Sequence, residues 1–484
     1  MSGRPSEGSS HPTVAMTTVH CRRSALAVGV ALLAMVAAIG DASAAHADGA
    51  PGERAVTATV PAYAGTGRSP AKIGAVTAIG AGESHSLALR SDGTVVAWGG
   101  NQSGQLGDGT TVDRTTPVRV CAVGQGAPCT SFLTGVIAIA AGSNHNLALL
   151  RDRTVVAWGE NWGDLGDGTH NNHPTPVRVC AVRQVAPCTR FLTGVRSIAA
   201  GASHSLAVLD DTSAVAWGYN SFGELGDGTI YTRLTPVRVC AVGQVAPCTK
   251  FLSGVRSIAG GWVHTVAVAD NALALAWGWN QLGQLGDGTT VLRATPVRVC
   301  AVGQVAPCTR FLYAARSVAA NVADSMALLG DGGPVTWGDN FTGQLGDGTF
   351  TGRIVPGQVC AVGQTAPCQR FLYGIRDIVA GPAHSMAQLS SGGVLAWGDN
   401  FTGQLGDGTF TGRPVPGQVC AVGQTAPCER FLYGIRDIAA GDYHSLALQP
   451  DYTVVAWGAN GQGQLGDGGT EPSPTPVQVL APRS

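Results

Sequence analysis

The chain has 484 residues, a formal net charge of −1, 13% charged residues, 69 glycines and 26 prolines. That length exceeds one ordinary globular core, and a composition so apolar and regularly punctuated by glycine excludes a disordered chain. The near-neutral charge, with no basic stripe, gives nucleic-acid binding no electrostatic support.

Residues 1–47 read as a signal peptide. Arg22 and Arg23 form a positive start, Ser24–Gly40 carries no charge, and small-residue cleavage sites follow at Ala42-Ser43-Ala44 and Ala45-His46-Ala47. The apolar run is short for a membrane span, so cleavage and a secreted product, without membrane attachment, are expected. Residues 48–75 form a Gly/Ala/Pro-rich entry segment. Its alternating stretch Ala55–Val60 is a candidate strand for closing the fold that follows.

From Val76 onward one sentence repeats. Its tryptophans are Trp98, Trp158, Trp217, Trp277, Trp337, Trp397 and Trp457, spaced 60, 59, 60, 60, 60 and 60 residues apart. A fixed period of this size signals a repeat architecture. Within the first copy, Val76–Ile79 is β-prone, His85–Leu89 alternates, Ser91-Asp92-Gly93 turns, Thr94–Trp98 is β-branched and apolar, Asn101–Thr110 is a glycine-punctuated loop, and Pro117–Cys121 alternates again. Four short strands per copy predict one propeller blade, and seven copies predict an all-β, seven-bladed β-propeller over 76–484 with almost no helix. Radial closure removes bare sheet edges, so N- and C-terminal strands are expected to share a blade. Leu480 stands where the other copies carry their first Cys, as a closing unit would.

The cysteines follow the same period. Cys21 lies in the leader; the other twelve form Cys121/Cys129, Cys180/Cys188, Cys240/Cys248, Cys300/Cys308, Cys360/Cys368 and Cys420/Cys428, each bracketing a C-A-V-x-Q-x-A-P-C tongue. An even, locally paired set in an exported chain reads as disulfides. Zinc sites join cysteine pairs of closer spacing, so no metal site is expected, nor any cofactor.

The unit A-G-x-x-H-S-L-A-L, V-x-A-W-G-x-N-x-x-G-Q-L-G-D-G-T and P-V-R-V resembles the regulator of chromosome condensation repeat. The resemblance covers about 76–480 and implies a seven-bladed β-propeller. The founding member of that family is a nuclear exchange factor for a small GTPase that also docks on nucleosomes. An export leader, no basic tail and six cysteine tongues set that activity aside here. The chain is also similar to the secreted β-lactamase inhibitory proteins of this propeller type, whose inhibitory face is built from aromatic loop residues.

Recurrent residues read as scaffold. The tryptophans are expected between blades. The aspartates of the Asp-Gly steps, such as Asp108 and Asp227, are expected to hold turns. His85, His145, His204, His264, His384 and His444, with Asp324 in the fifth copy, are expected to make a repeated strand-to-strand hydrogen bond. A motif copied around a ring lacks the unique nucleophile, base and orienter that an enzyme needs, so no catalytic residues are assigned. Function is sought where the copies differ. Trp162, Tyr219, Phe222, Trp262, Trp279, Phe341, Phe401 and Tyr443 fall in variable loops, and large aromatics there read as partner-binding candidates. Copies five and six are nearly one sequence: from Trp337 to Gly381 and from Trp397 to Gly441 only Ile354/Pro414, Gln369/Glu429 and Val379/Ala439 differ. The function expected is a secreted, monomeric, non-enzymatic scaffold that binds another protein. An inhibitor of an extracellular enzyme such as a β-lactamase, or a carbohydrate or cell-envelope binding module, are the alternatives.

Overall fold

A computed structural model describes residues 71–482. They form seven antiparallel four-stranded sheets, each built from one sequence copy, with strands adjacent in the order they occur in the chain. In blade 1 these are β1 (Val76–Ala81), β2 (His85–Arg90), β3 (Val95–Gly99) and β4 (Arg114–Arg119). The last blade runs from Asp437 to Gln478. Among the described residues no helix is long and apolar enough to cross a membrane.

First strands line the axis: a narrow opening is bounded by their ends and the residues after them in all seven blades, including Gly82, Gly142, Gly201, Gly261, Asn321, Pro382 and Asp442. Second and third strands are almost wholly buried and carry the apolar mass. Each tryptophan is fully buried and packs into the preceding blade. Trp98, for example, sits with Leu446, Leu448, Val454, Leu465 and Val479. The expected inter-blade position of the tryptophans is therefore observed.

Among the described residues no blade takes strands from both ends of the repeat array. There the two ends meet at a bridge, Lys72 with Leu480, flanked by Ile73 N–H to the Val479 carbonyl and Ala481 N–H to the Ala71 carbonyl. Elsewhere the same place is taken by bridges such as Cys121 with Phe132, across the base of a tongue. Each copy holds four strands, and residues 71–75 supply this return segment. Ala55–Val60 lies outside the described residues.

Six disulfides close the tongues, Cys121–Cys129, Cys180–Cys188, Cys240–Cys248, Cys300–Cys308, Cys360–Cys368 and Cys420–Cys428. Such a set points to an oxidising, extracellular environment. The tongues leave the fourth, outermost strand of each blade and carry the chain to the next blade. Antiparallel order puts the first-to-second and third-to-fourth strand loops together on the opposite side, called here the loop face.

Candidate functional site

The third-to-fourth strand loops are held in one shape. In blade 1, Asn101 Nδ2 donates to the carbonyls of Thr110 and Val112, while Leu106 N–H donates to Asn101 Oδ1. Asp108 accepts from the amide and hydroxyl of Thr110. Ion pairs follow the same turn: Arg114–Asp108 at 2.7 Å, Arg233–Asp227 at 2.6 Å and Arg293–Asp287 at 3.0 Å, with Arg353–Asp347 and Arg413–Asp407 equivalent. These aspartates hold turns, as their spacing suggested. Glycine is required where the loop meets the next blade: at Gly107, φ is 67°, and an added Cβ would lie 2.8 Å from Trp158 Nε1.

Beneath the loops a clamp joins each blade to the next. Trp98 Nε1 and Ser86 Oγ of blade 1 both donate to the Gln464 carbonyl of blade 7, each at 2.9 Å. Because the Ser86 proton is used there, His444 Nε2, 2.9 Å away, is the donor to Ser86 Oγ. The same reasoning fixes His145 to Ser205 and His264 to Ser325, both at 2.9 Å, His204 to Thr265 at 3.0 Å, and His384 to Ser445 at 2.9 Å. His85 donates to Asn146 Oδ1 at 2.8 Å. The histidine bond runs between blades rather than between strands of one blade. Burial pushes these imidazoles far down, His85 and His384 to about 4 and the others to about 3, so they are neutral. Buried, neutral and already bonded, they are not poised for catalysis.

In the fifth blade Asp324 replaces the histidine, is completely buried, and has no hydrogen-bond partner on either oxygen. Burial, then the nearby Asp339, pushes its carboxyl well above the usual range. A second departure, not singled out from sequence, lies in the Gln column of G-Q-L-G-D-G. Asp164 and Glu224 occupy it in blades 2 and 3, and burial raises both to about 8. Aligning the seven copies at that column would have found them.

The aromatic candidates all lie on the loop face, but they are not equivalent. Trp162, Phe341, Phe401 and Tyr443 are exposed, at 57%, 54%, 66% and 39%. Tyr231, Phe350 and Phe410 join them at 70%, 58% and 50%. Trp262 is half-buried at the axial opening. Tyr219, Phe222 and Trp279 pack together across the blade 3–blade 4 boundary, with ring centroids 6.5 and 6.2 Å apart, and Trp279 is only 7% exposed. Trp279 is thus an anchor for its neighbours, a packing that loop position alone could not reveal.

The same face is acidic. Neither set of its loops contains a lysine or arginine; the arginines of the ion pairs begin the fourth strands. Glu83, Glu160, Asp339, Asp399 and Asp442 stand there without an ion pair among the described residues.

Comparison with known proteins agrees with this architecture. Residues 36–364 match the RCC1-like domain, and residues 391–448 and 453–484 match the regulator of chromosome condensation (RCC1) repeat. The ultraviolet-B receptor UVR8 of Arabidopsis thaliana is 30% identical over 396 residues, 81% of this chain and 78% of UVR8. The human E3 ubiquitin-protein ligase HERC2 is 29% identical over 76% of this chain, but that match spans only 7% of HERC2. Human WBSCR16 has a similar structure, with TM-score 0.62, 23% identity, and coverage of 80% of this chain and 94% of that one. Prp20p of Saccharomyces cerevisiae, described with its binding to Gsp1p and histones, gives TM-score 0.57, 23% identity, and coverage of 76% and 80%. The chain therefore belongs to the RCC1-like family of seven-bladed β-propellers.

Proposed function

We propose that this chain is a secreted, non-enzymatic scaffold that captures another protein with its loop face. The observation that carries the reading is the set of exposed aromatics, Trp162, Phe341, Phe401 and Tyr443, gathered on that one face. Large apolar side chains held open to water on a rigid base are interface anchors more often than ornaments. Support comes from one relative of the same fold, yeast Prp20p, whose structures are described with Gsp1p, histones and Kap60 as its partners. The identical third-to-fourth strand loops of the fifth and sixth blades present Phe341 and Phe401 as a repeated pair, suited to a broad partner surface rather than to one small substrate.

Within this reading, inhibition of an extracellular enzyme such as a β-lactamase is the narrower form to test first. The test replaces Trp162, Phe341, Phe401 and Tyr443 together with alanine and leaves the buried Trp279 in place. Capture of partners from the producer's secreted fraction should weaken by several kcal/mol in total, roughly 3–6, without unfolding the ring. Unchanged capture would sink the proposal. A parallel β-lactamase assay, and pull-down on peptidoglycan, separate the inhibitor from the carbohydrate-binding alternative.

A further inference from the structure

The axial opening on the loop face is a cavity of about 120 Å³. That is room for roughly four waters, well below the 300 Å³ or more of a typical small-molecule site, so it suits the head of a single side chain. Asp442 lines it. Only 8% of that residue is exposed, yet its carboxylate receives no hydrogen bond and no ion pair from the described residues. Trp262, from blade 4, lines the same opening. Glu83, on the adjoining loop of blade 1, acts on Asp442 through space and is itself exposed.

A buried carboxylate without a donor is costly unless something supplies one. Burial, then the charge of Glu83, raises Asp442 to about 8. An ammonium or guanidinium placed there would restore the ionised form and could also rest on the indole face of Trp262. The surrounding loops hold no cation of their own, and Glu160, Asp339 and Asp399 add negative charge to the third-to-fourth strand loops of the same face.

We propose that the axial opening receives one lysine or arginine side chain from a basic protein surface, with Asp442 as its counter-ion and Glu83 and Trp262 flanking it. This rests on the reading of the loop face as a protein-capture surface and names the chemistry of what it captures.

The probe is fluorescein-labelled hexalysine, with hexaglutamate as the control, titrated into the full chain by fluorescence anisotropy at about 50 mM salt, where partly exposed charges are weakly screened. Hexalysine should bind and hexaglutamate should not. Asp442→Asn should weaken hexalysine by about fivefold to tenfold, the scale of one partly buried charge pair, while Asp92→Asn on the opposite side leaves it unchanged. Glu83→Gln with Trp262→Ala, which leaves Asp442 in place, should also weaken it and covers the case of a misfolded Asp442 variant. Hexalysine that does not bind, or that binds the Asp442 and Asp92 variants equally, overturns the proposal. So does self-association of the wild type in sedimentation that Asp442→Asn abolishes, since the occupant would then be a second copy. The aromatic-to-alanine variant should keep its hexalysine binding, so failure of the capture reading and failure of this inference give different results.

Discussion

Asp324 and Asn321 form a coupled departure from the other six copies, and a double-mutant cycle tests it. Elsewhere the residue three before the histidine is glycine, because the imidazole fills its side-chain space. A Cβ added at Gly82 would lie 2.2 Å from His85 Cε1, and at Gly441 2.3 Å from His444 Cε1. In blade 5 that position is Asn321, and Asp324 leaves the space for it. Restoring histidine alone therefore forces a clash, and in Asp324→His the usual overpacking cost of about 1–3 kcal/mol offsets what removing the unpaired carboxyl gains, leaving little net change. Asn321→Gly with Asp324→His removes the clash and should stabilise. It gains one buried bond to Ser385, about 0.5–1.5 kcal/mol, and removes a buried carboxyl with no partner, about 1–3 kcal/mol. Against this stands the added backbone freedom of glycine, about 0.5–1 kcal/mol. The double variant should be more stable than the wild type by roughly 1–3 kcal/mol, with a strongly non-additive cycle. Guanidinium unfolding followed by tryptophan fluorescence measures it. A single Asp324→His variant as stable as the double, or a double variant weaker than the wild type, would refute the steric argument.

Two further outcomes follow. Glu224 has its carboxyl raised by burial from 4.5 to about 8, so the folded state holds a proton that the unfolded chain releases. Its contribution is full below about pH 4.5 and is lost as pH rises toward 8. Glu224→Gln, which restores the residue of the other copies, should therefore stabilise strongly near pH 8, by roughly 3–5 kcal/mol at 1.36 kcal/mol per unit, and little at pH 4.5; equal stabilisation at both would contradict the assignment. Replacing Cys240 and Cys248 with serine opens a nine-residue loop and should cost about 2.5 kcal/mol, read as a lower denaturation midpoint. No loss would show that the tongue is held by its other contacts.

Most of the scaffold was legible in the sequence because it repeats. The tryptophan spacing set seven blades, and the turn aspartates and tongue cysteines kept the roles their spacing implied. What stayed hidden was any relation across blades. His145 meets Ser205, and Trp217 meets the Asp164 carbonyl, through neighbours set by ring geometry rather than by local pattern. Trp279 looked like a loop-tip aromatic, but packing with Phe222 took it out of water. The expected closing strand, Ala55–Val60, lies outside the described residues, and the closure seen within them is the short bridge of Lys72 with Leu480. The acidic character of the loop face was concealed by a net charge near zero, since the compensating arginines lie in the strands, tongues and opposite turns.

The inter-blade clamp also decides where the ring is weakest. The place where the chain is not covalently continuous, between blades 7 and 1, keeps its complete set of bonds, His444 to Ser86 and Trp98 and Ser86 to the Gln464 carbonyl. Between blades 5 and 6, Ser385 and Trp397 still hold the Gln344 carbonyl, but Asp324 supplies no bond to Ser385. Like a bracelet whose clasp is sound but whose middle link is filed thin, the ring should part at an interior joint when strained. That joint lies between the two blades whose third-to-fourth strand loops, residues 339–352 and 399–412, are identical in sequence.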